Sequence, residues 1–193
     1  DKYDTSSLKD CIAGAAPLPL ELRRAFMEKF GCTMRQLYGL TESTGMGACL
    51  RPSMEWRDGS TGKAYDNMEL AVFDEDDNEL GPGEIGEIVI RGPQVMKGYL
   101  KRPEETAEAL RNGWLHTGDI GYLDGDGYLY ITDRKKDIII KGGENIMPTQ
   151  IEEVLYQHPA VAEAAVIGVP DPDYGEEIVA CVAFKPGAEA SPE

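Results

Sequence analysis

The stretch YGLTESTG, residues 38–45, sets an aromatic ring, a hydroxyl and a carboxylate in one short loop, on Tyr38, Thr41 and Glu42. A ring can stack on a base, a hydroxyl can bond a phosphate oxygen, and a carboxylate can hold a divalent cation. Those are the needs of a magnesium–nucleotide site, although a Thr-Glu pair after glycine fits a solvated loop as well. TGD at 117–119 supplies a second carboxylate, Asp119, able to accept from two ribose hydroxyls. Arg134, at the far end of the hairpin that follows, has the donors to reach the same ribose or a phosphate. From spacing alone, a turn cap for Asp119 and a surface charge for Arg134 are the favoured readings.

Two other candidates carry less. DGDG at 124–127 could open a calcium loop, but the twelfth position, which should be glutamate, is Lys135. Asp-Gly repeats between Tyr, Leu and Ile runs instead signal a hairpin, because glycine supplies positive φ. The four cysteines (Cys11, Cys32, Cys49, Cys181) form no C-x-x-C pair, and only two histidines are present, so no zinc site is indicated. Free, mostly buried thiols in a reducing compartment are the plain reading.

The elements that must position these residues follow from periodicity. Leu18, Leu22, Ala25, Phe26 and Phe30 recur at helical spacing, with Pro17 and Pro19 at the start and Gly31 at the end. LKDCIAG before it and CTMRQLYGL after it read as strands, so a parallel crossover is expected. Ligands of such sheets collect at the carboxyl ends of strands, which is where GAAPLP and YGLTESTG stand. From Gly59 to Thr132 the pattern is β-rich: MELAVFDEDDNELGPGEIGEIVIRG alternates as two antiparallel strands, PEETAEALRNG is a short helix, and DIGYLDGDGYLYITD is a hairpin. Beyond Arg134, KDIIIKGGENI gives a strand and turn, PTQIEEVLYQH an amphipathic helix, and AEAAVIGVP and EEIVACVAFKPG two strands. The fold class expected is α/β (α+β): a parallel-sheet part (1–55), a β-rich, barrel-like subdomain (56–134), and the start of a small α/β domain (135–193).

Composition bounds the function. With 193 residues and 41% hydrophobic content the chain can bury a core, and no apolar run approaches the ~20 residues of a membrane span. A net charge of −16 repels a phosphate backbone and argues against a nucleic-acid partner, though not against a small phosphate ligand. DKYDTSS at the start lacks an apolar signal core, and a cytoplasmic location is the default.

In order and spacing, GAAPLP, YGLTESTG, GEIVIRGPQVMKGYL, GWLHTGDIGYLDGDGYLYITDRKKDIIIKGGENI and PTQIEEVL resemble the AMP-forming acyl-CoA synthetases. That superfamily also holds the amino-acid-activating domains of peptide synthetases and the beetle luciferases. The resemblance runs from about Gly14 to Val182, and YGLTEST, HTGD and DRKKDIIIKGGENI look most like fatty-acyl or medium-chain acyl-CoA ligases. It implies residues 1–134 from the end of a large adenylation domain and 135–193 from an incomplete small one. It also implies an ATP-dependent enzyme that makes an acyl-adenylate and then a coenzyme A thioester, using Mg²⁺.

Position by position, Gly14, Ala15 and Ala16 would border adenine and the acyl group. Tyr38 would stack on adenine and Gly39 would present backbone to it. Thr41 would touch the α-phosphate, and Glu42 would hold Mg²⁺. Asp119 and Arg134 would bind the ribose, with Ile131 near the base and Met46 and Gly47 near the acyl pocket. Lys136 would be the hinge, and Lys141, Gly142 and Gly143 would form the loop that enters for the second step, thin enough to approach a ligand.

The departures matter as much. The Ser/Thr/Gly-rich phosphate loop is not found before YGLTEST, and no Pro-Lys…Gly-Lys pattern follows Val182. An internal piece of a longer enzyme, inactive by itself, is therefore expected. The competing readings are a non-catalytic nucleotide- or coenzyme A-binding module or partner subunit, an aryl-acid ligase, or an amino-acid adenylation domain. A sheet cut at Asp1 would expose an edge and invite association, a homo-oligomer included.

Overall fold

The computed structural model describes residues 3–15 and 18–188. The chain divides into two compact units, Asp1–Ile131 and Thr132–Glu193.

In the first unit, β1 (Asp10–Ala13), α1 (Leu20–Phe30) and β2 (Thr33–Tyr38) form the expected crossover, with β1 and β2 parallel and Cys11 opposite Met34. The helix stops at Gly31, whose φ of 61° lets its N–H return to the Met27 carbonyl at 2.9 Å. Its inward side chain is not the one periodicity suggests. Leu22 is 58% exposed, whereas Arg23 is buried, donating to the Met34 carbonyl at 2.9 Å and to Gln36 Oε1 at 3.0 Å. A long aliphatic stem whose Nε and Nη1 find acceptors can occupy a buried position that a hydropathy pattern assigns to leucine.

Two short strands unseen in the sequence, β3 (Ala48–Cys49) and β4 (Lys63–Ala64), extend this sheet antiparallel in the order β1-β2-β3-β4. A second sheet holds β5 (Glu69–Phe73), β6 (Gly86–Arg91), β7 (Leu115–Leu123) and β8 (Leu129–Arg134) in sequence order. It is an open sheet with β5 and β8 at its edges; among the described residues no closed barrel forms. The helix α2 (Pro103–Ala109) crosses between β6 and β7. Tyr38, Ile88, Ile90, Leu115 and Leu129 share one core cluster. Each fully buried aliphatic there contributes about 1.5–3 kcal/mol of transfer free energy.

The DGDG turn is a hairpin tip. Asp124 and Asp126 both pair with Arg57, at 2.5 and 2.6 Å.

The second unit has β9 (Ile139–Lys141), β10 (Glu144–Ile146), α3 (Pro148–Tyr156), β11 (Val161–Asp171) and β12 (Gly175–Phe184), in sheet order β10-β9-β12-β11. Neighbouring strands are antiparallel. Asp133, buried, accepts from Thr149 N–H and Thr149 Oγ1, both at 3.1 Å, and so satisfies an orphan donor in the first turn of α3.

Candidate active site

The loop after β2 is built to fold back on itself. Thr41–Ser43 form one 3-10 turn, closed where the buried Ser43 hydroxyl meets the Leu40 backbone at 3.1 Å and Gly45 N–H reaches Leu40 O at 2.7 Å. A Cβ on Gly39 would lie 2.4 Å from the Gly45 carbonyl, so this glycine is demanded by the loop itself, before any ligand is considered. Glu42 is half-buried, Thr41 and Met46 are exposed, and buried Gly47 lies so close that a Cβ there would stand 3.1 Å from the Tyr38 ring.

Asp119 is not a turn cap. It lies inside β7, where pairing with β6 shifts register: Glu87 opposes Ile120 but Val89 opposes His116. The extra residues of Thr117-Gly118-Asp119 bulge there, with Gly118 at φ +71°. The bulge is held by three bonds. Thr117 Oγ1 donates to Ile88 O at 2.6 Å and accepts Asp119 N–H at 3.1 Å, and Glu87 Oε1 accepts Gly118 N–H at 3.0 Å. Asp119 Oδ2 then accepts the Tyr38 hydroxyl at 2.8 Å, with Tyr38 7% and Asp119 5% exposed. Two motifs 81 positions apart are thereby joined by one charge-assisted bond.

Behind the bulge, His116 Nδ1 lies 3.3 Å from Glu87 Oε2, and Arg111 clasps Asp77 through two nitrogens at 2.9 Å. The Arg111 guanidinium holds the Asp77 carboxyl below its ordinary value. Glu87 carries no signal of a role in the sequence beyond being the acid of GEIVIRG, opposite the TGD motif. Tyr99, in the GPQVMKGYL segment that follows β6, donates its hydroxyl to Glu42 Oε1 at 2.8 Å.

The remaining candidates are more dispersed. Gly14 follows β1, where a Cβ would come 2.9 Å from the Leu37 carbonyl. Ala15 holds φ +72°, a strained conformation for a residue with a side chain. Ala16 lies outside the described residues. Ile131 is half-buried against the cluster that contains Tyr38.

In the second unit, Arg134 is exposed at the end of β8, and Lys136 is exposed in the 3-10 turn Lys135–Asp137. Lys141 pairs opposite Glu144 across Gly142 and Gly143, whose φ of 61° and 88° make a two-residue hairpin turn. Its ammonium pairs with Glu177 and holds that carboxyl below the usual range. The two glycines are thus required by the turn geometry alone.

Of the candidate residues, Glu42 offers a single carboxylate that could hold a divalent cation; among the described residues no three His, Cys, Asp or Glu side chains cluster. That suits magnesium, which is held through one or two carboxylates with water and phosphate oxygens, and suits a dedicated protein cage poorly.

Residues 1–100 match the AMP-binding enzyme family, and residues 150–193 match the AMP-binding enzyme C-terminal domain. A long-chain-fatty-acid–CoA ligase of Bacillus subtilis is 47% identical over 195 residues, covering 99% of this chain and 34% of that protein. ATP-bound MatB from Rhodopseudomonas palustris superposes with a TM-score of 0.89 at 38% identity, over 93% of this chain and 36% of that one. The o-succinylbenzoate CoA synthetase MenE of Bacillus subtilis, in complex with its acyl-adenylate intermediate, gives 0.83 at 41% identity, over 96% and 38%. The chain spans about a third of the length of the curated relatives it matches. It belongs to the AMP-binding enzyme family, among relatives that are acyl-CoA ligases.

Proposed function

We propose that the protein encoded by the complete reading frame activates a carboxylic acid with ATP, releasing pyrophosphate, and passes the acyl group to the thiol of coenzyme A. The observation that carries this reading is the buried Tyr38–Asp119 bond, which unites the two motifs expected to border adenine and ribose. In that role Asp119 keeps Oδ2 on Tyr38 while its carboxylate accepts from ribose hydroxyls, and Arg134 adds donors from the end of β8. The exposed Thr41 hydroxyl bonds the α-phosphate while the acid oxygen attacks in line. Glu42 would hold magnesium, which when bound would supply positive charge to offset that of the phosphates. Gly14 and Ala15 border the nucleotide through backbone, and Met46 and Gly47 border the acyl group.

Residues 1–134 would act as the end of the adenylating domain and 135–193 as part of the mobile one. Lys136 in its exposed turn is the proposed hinge, and the Lys141–Gly143 turn delivers coenzyme A chemistry in the second step. The identity to a long-chain-fatty-acid ligase makes fatty acids the first substrates to try. We place the enzyme in the cytoplasm, with its cysteines as free thiols. The test is pyrophosphate exchange by the complete protein across a panel of fatty, aryl and amino acids. Exchange that depends on one acid class supports the proposal; none with any acid ends it.

A further inference from the structure

Tyr99 has no part in the roles set out above, yet it is bonded to one of their central groups. It closes the loop 92–99 that leads from β6 towards α2, and it reaches Glu42 across 57 positions, hydroxyl to Oε1, at 2.8 Å. Two further bonds dock the same loop on the same turn. Met96 N–H donates to the Glu42 carbonyl at 2.7 Å, and the Thr44 hydroxyl donates to the Gln94 carbonyl at 2.7 Å. The other end of the loop is tied to the first turn of α2. Tyr99 N–H donates to Thr106 Oγ1 at 2.9 Å, and Thr106 Oγ1 donates to the Arg102 carbonyl at 2.6 Å. Gly98 permits that approach: a Cβ there would lie 2.5 Å from Thr106 Cγ2.

A half-buried glutamate on a single 3-10 turn has several rotamers open to it, and a metal-binding carboxylate works best with one. We propose that Tyr99 is a positioning residue for Glu42: its hydroxyl holds Oε1, fixes the carboxylate rotamer, and leaves Oε2 to take a divalent cation. The inference rests on the reading of Glu42 given under Proposed function. Tyr99 is 39% exposed, so its side chain lies outside the buried core.

The test compares Tyr99→Phe with Glu42→Gln in the complete protein, reading Mn²⁺ affinity by electron paramagnetic resonance in the presence of ATP. Tyr99→Phe is expected to melt at the wild-type temperature and to bind Mn²⁺ about 3- to 10-fold more weakly, the range one hydrogen bond supplies. The KM for the acid should stay unchanged. Glu42→Gln should lose most of the Mn²⁺ affinity. Wild-type affinity in Tyr99→Phe with loss in Glu42→Gln overturns the positioning role and leaves the Glu42 reading standing. Wild-type affinity in both overturns the Glu42 reading and the inference with it. Should Tyr99→Phe melt lower, Thr106→Val, which frees the loop from α2 but keeps the phenol, separates the cases. Weakened Mn²⁺ binding there, at the wild-type melting temperature, supports the role; unchanged binding counts against it.

Discussion

The two units hold their candidate residues to different depths. In the first, Asp119 and Tyr38 are buried and bonded to each other, Gly118 is clamped by Glu87, and Glu42 is held by Tyr99. In the second, Arg134 and Lys136 stand exposed, and Lys141, half-buried and paired with Glu177, lies at a hairpin tip on a sheet that also exposes Ile140, Ile167, Tyr174 and Phe184. A site that must stabilise developing charge gains from groups set in advance, because no reorganisation is then needed during reaction. Groups that serve a moving part gain from shallow attachment. On the reading proposed above, the first-step groups lie largely in the core of one unit, while the second-step residues are carried on turns.

Substitutions can break or sharpen that contrast. The largest effect is expected from Glu42→Gln, which should lower acid-dependent pyrophosphate exchange by about 100-fold or more. Full exchange in that variant would remove Glu42 from the site. Asp119→Ala should raise the KM for ATP roughly 10- to 100-fold and lower the melting temperature, since it also leaves the Tyr38 hydroxyl without its carboxylate acceptor. Asp119→Asn, which keeps an acceptor, should recover the melting temperature more than the KM. Glu87→Ala strips the acceptor from Gly118 N–H and should cost about 1–3 kcal/mol by chemical denaturation.

On the other side, Gly142→Ala sets a Cβ at left-handed φ, costs about 1–2 kcal/mol, and should slow thioester formation while sparing pyrophosphate exchange. Equal losses in both half-reactions would erase the distinction between the units. The smallest effect is pH-dependent. The Asp77 carboxyl is lowered by Arg111, so the pair stabilises the fold above the ordinary value of 3.8 and loses this as pH falls through the depressed folded value. The melting-temperature gap between wild type and Arg111→Met should therefore be constant near neutrality and narrow only below about pH 3.8.

What could be read from the chain beforehand was mostly local. The DGDG hairpin, the crossover around α1 and the Lys-Gly-Gly turn follow from glycine conformation and hydrophobic period, which act over a few residues. The two-residue strands β3 and β4 carry too few side chains to show alternation. Arg23 was missed because a hydropathy pattern counts a guanidinium as polar whatever its stem does. Asp119 was favoured as a turn cap because its acceptor role depends on Tyr38, and nothing in spacing brings residues 81 apart together. The bulge opposite Ile88 re-aims it, and a bulge of this kind has no local signature beyond the glycine. Only the whole set of motifs in order pointed past that plain reading.

The Asp133–Thr149 pair has a mechanical corollary. Its two bonds join a residue before Lys136 to a residue after it, so the turn carrying Lys136 is a loop tied at both ends. If Lys136 is the hinge proposed above, a rotation there that carries Asp133 away from Thr149 parts both tethers, which then act as a latch whose release sets a threshold for motion. Asp133→Ala should lower that threshold, seen as faster amide exchange across 134–148 without a change in that of β6.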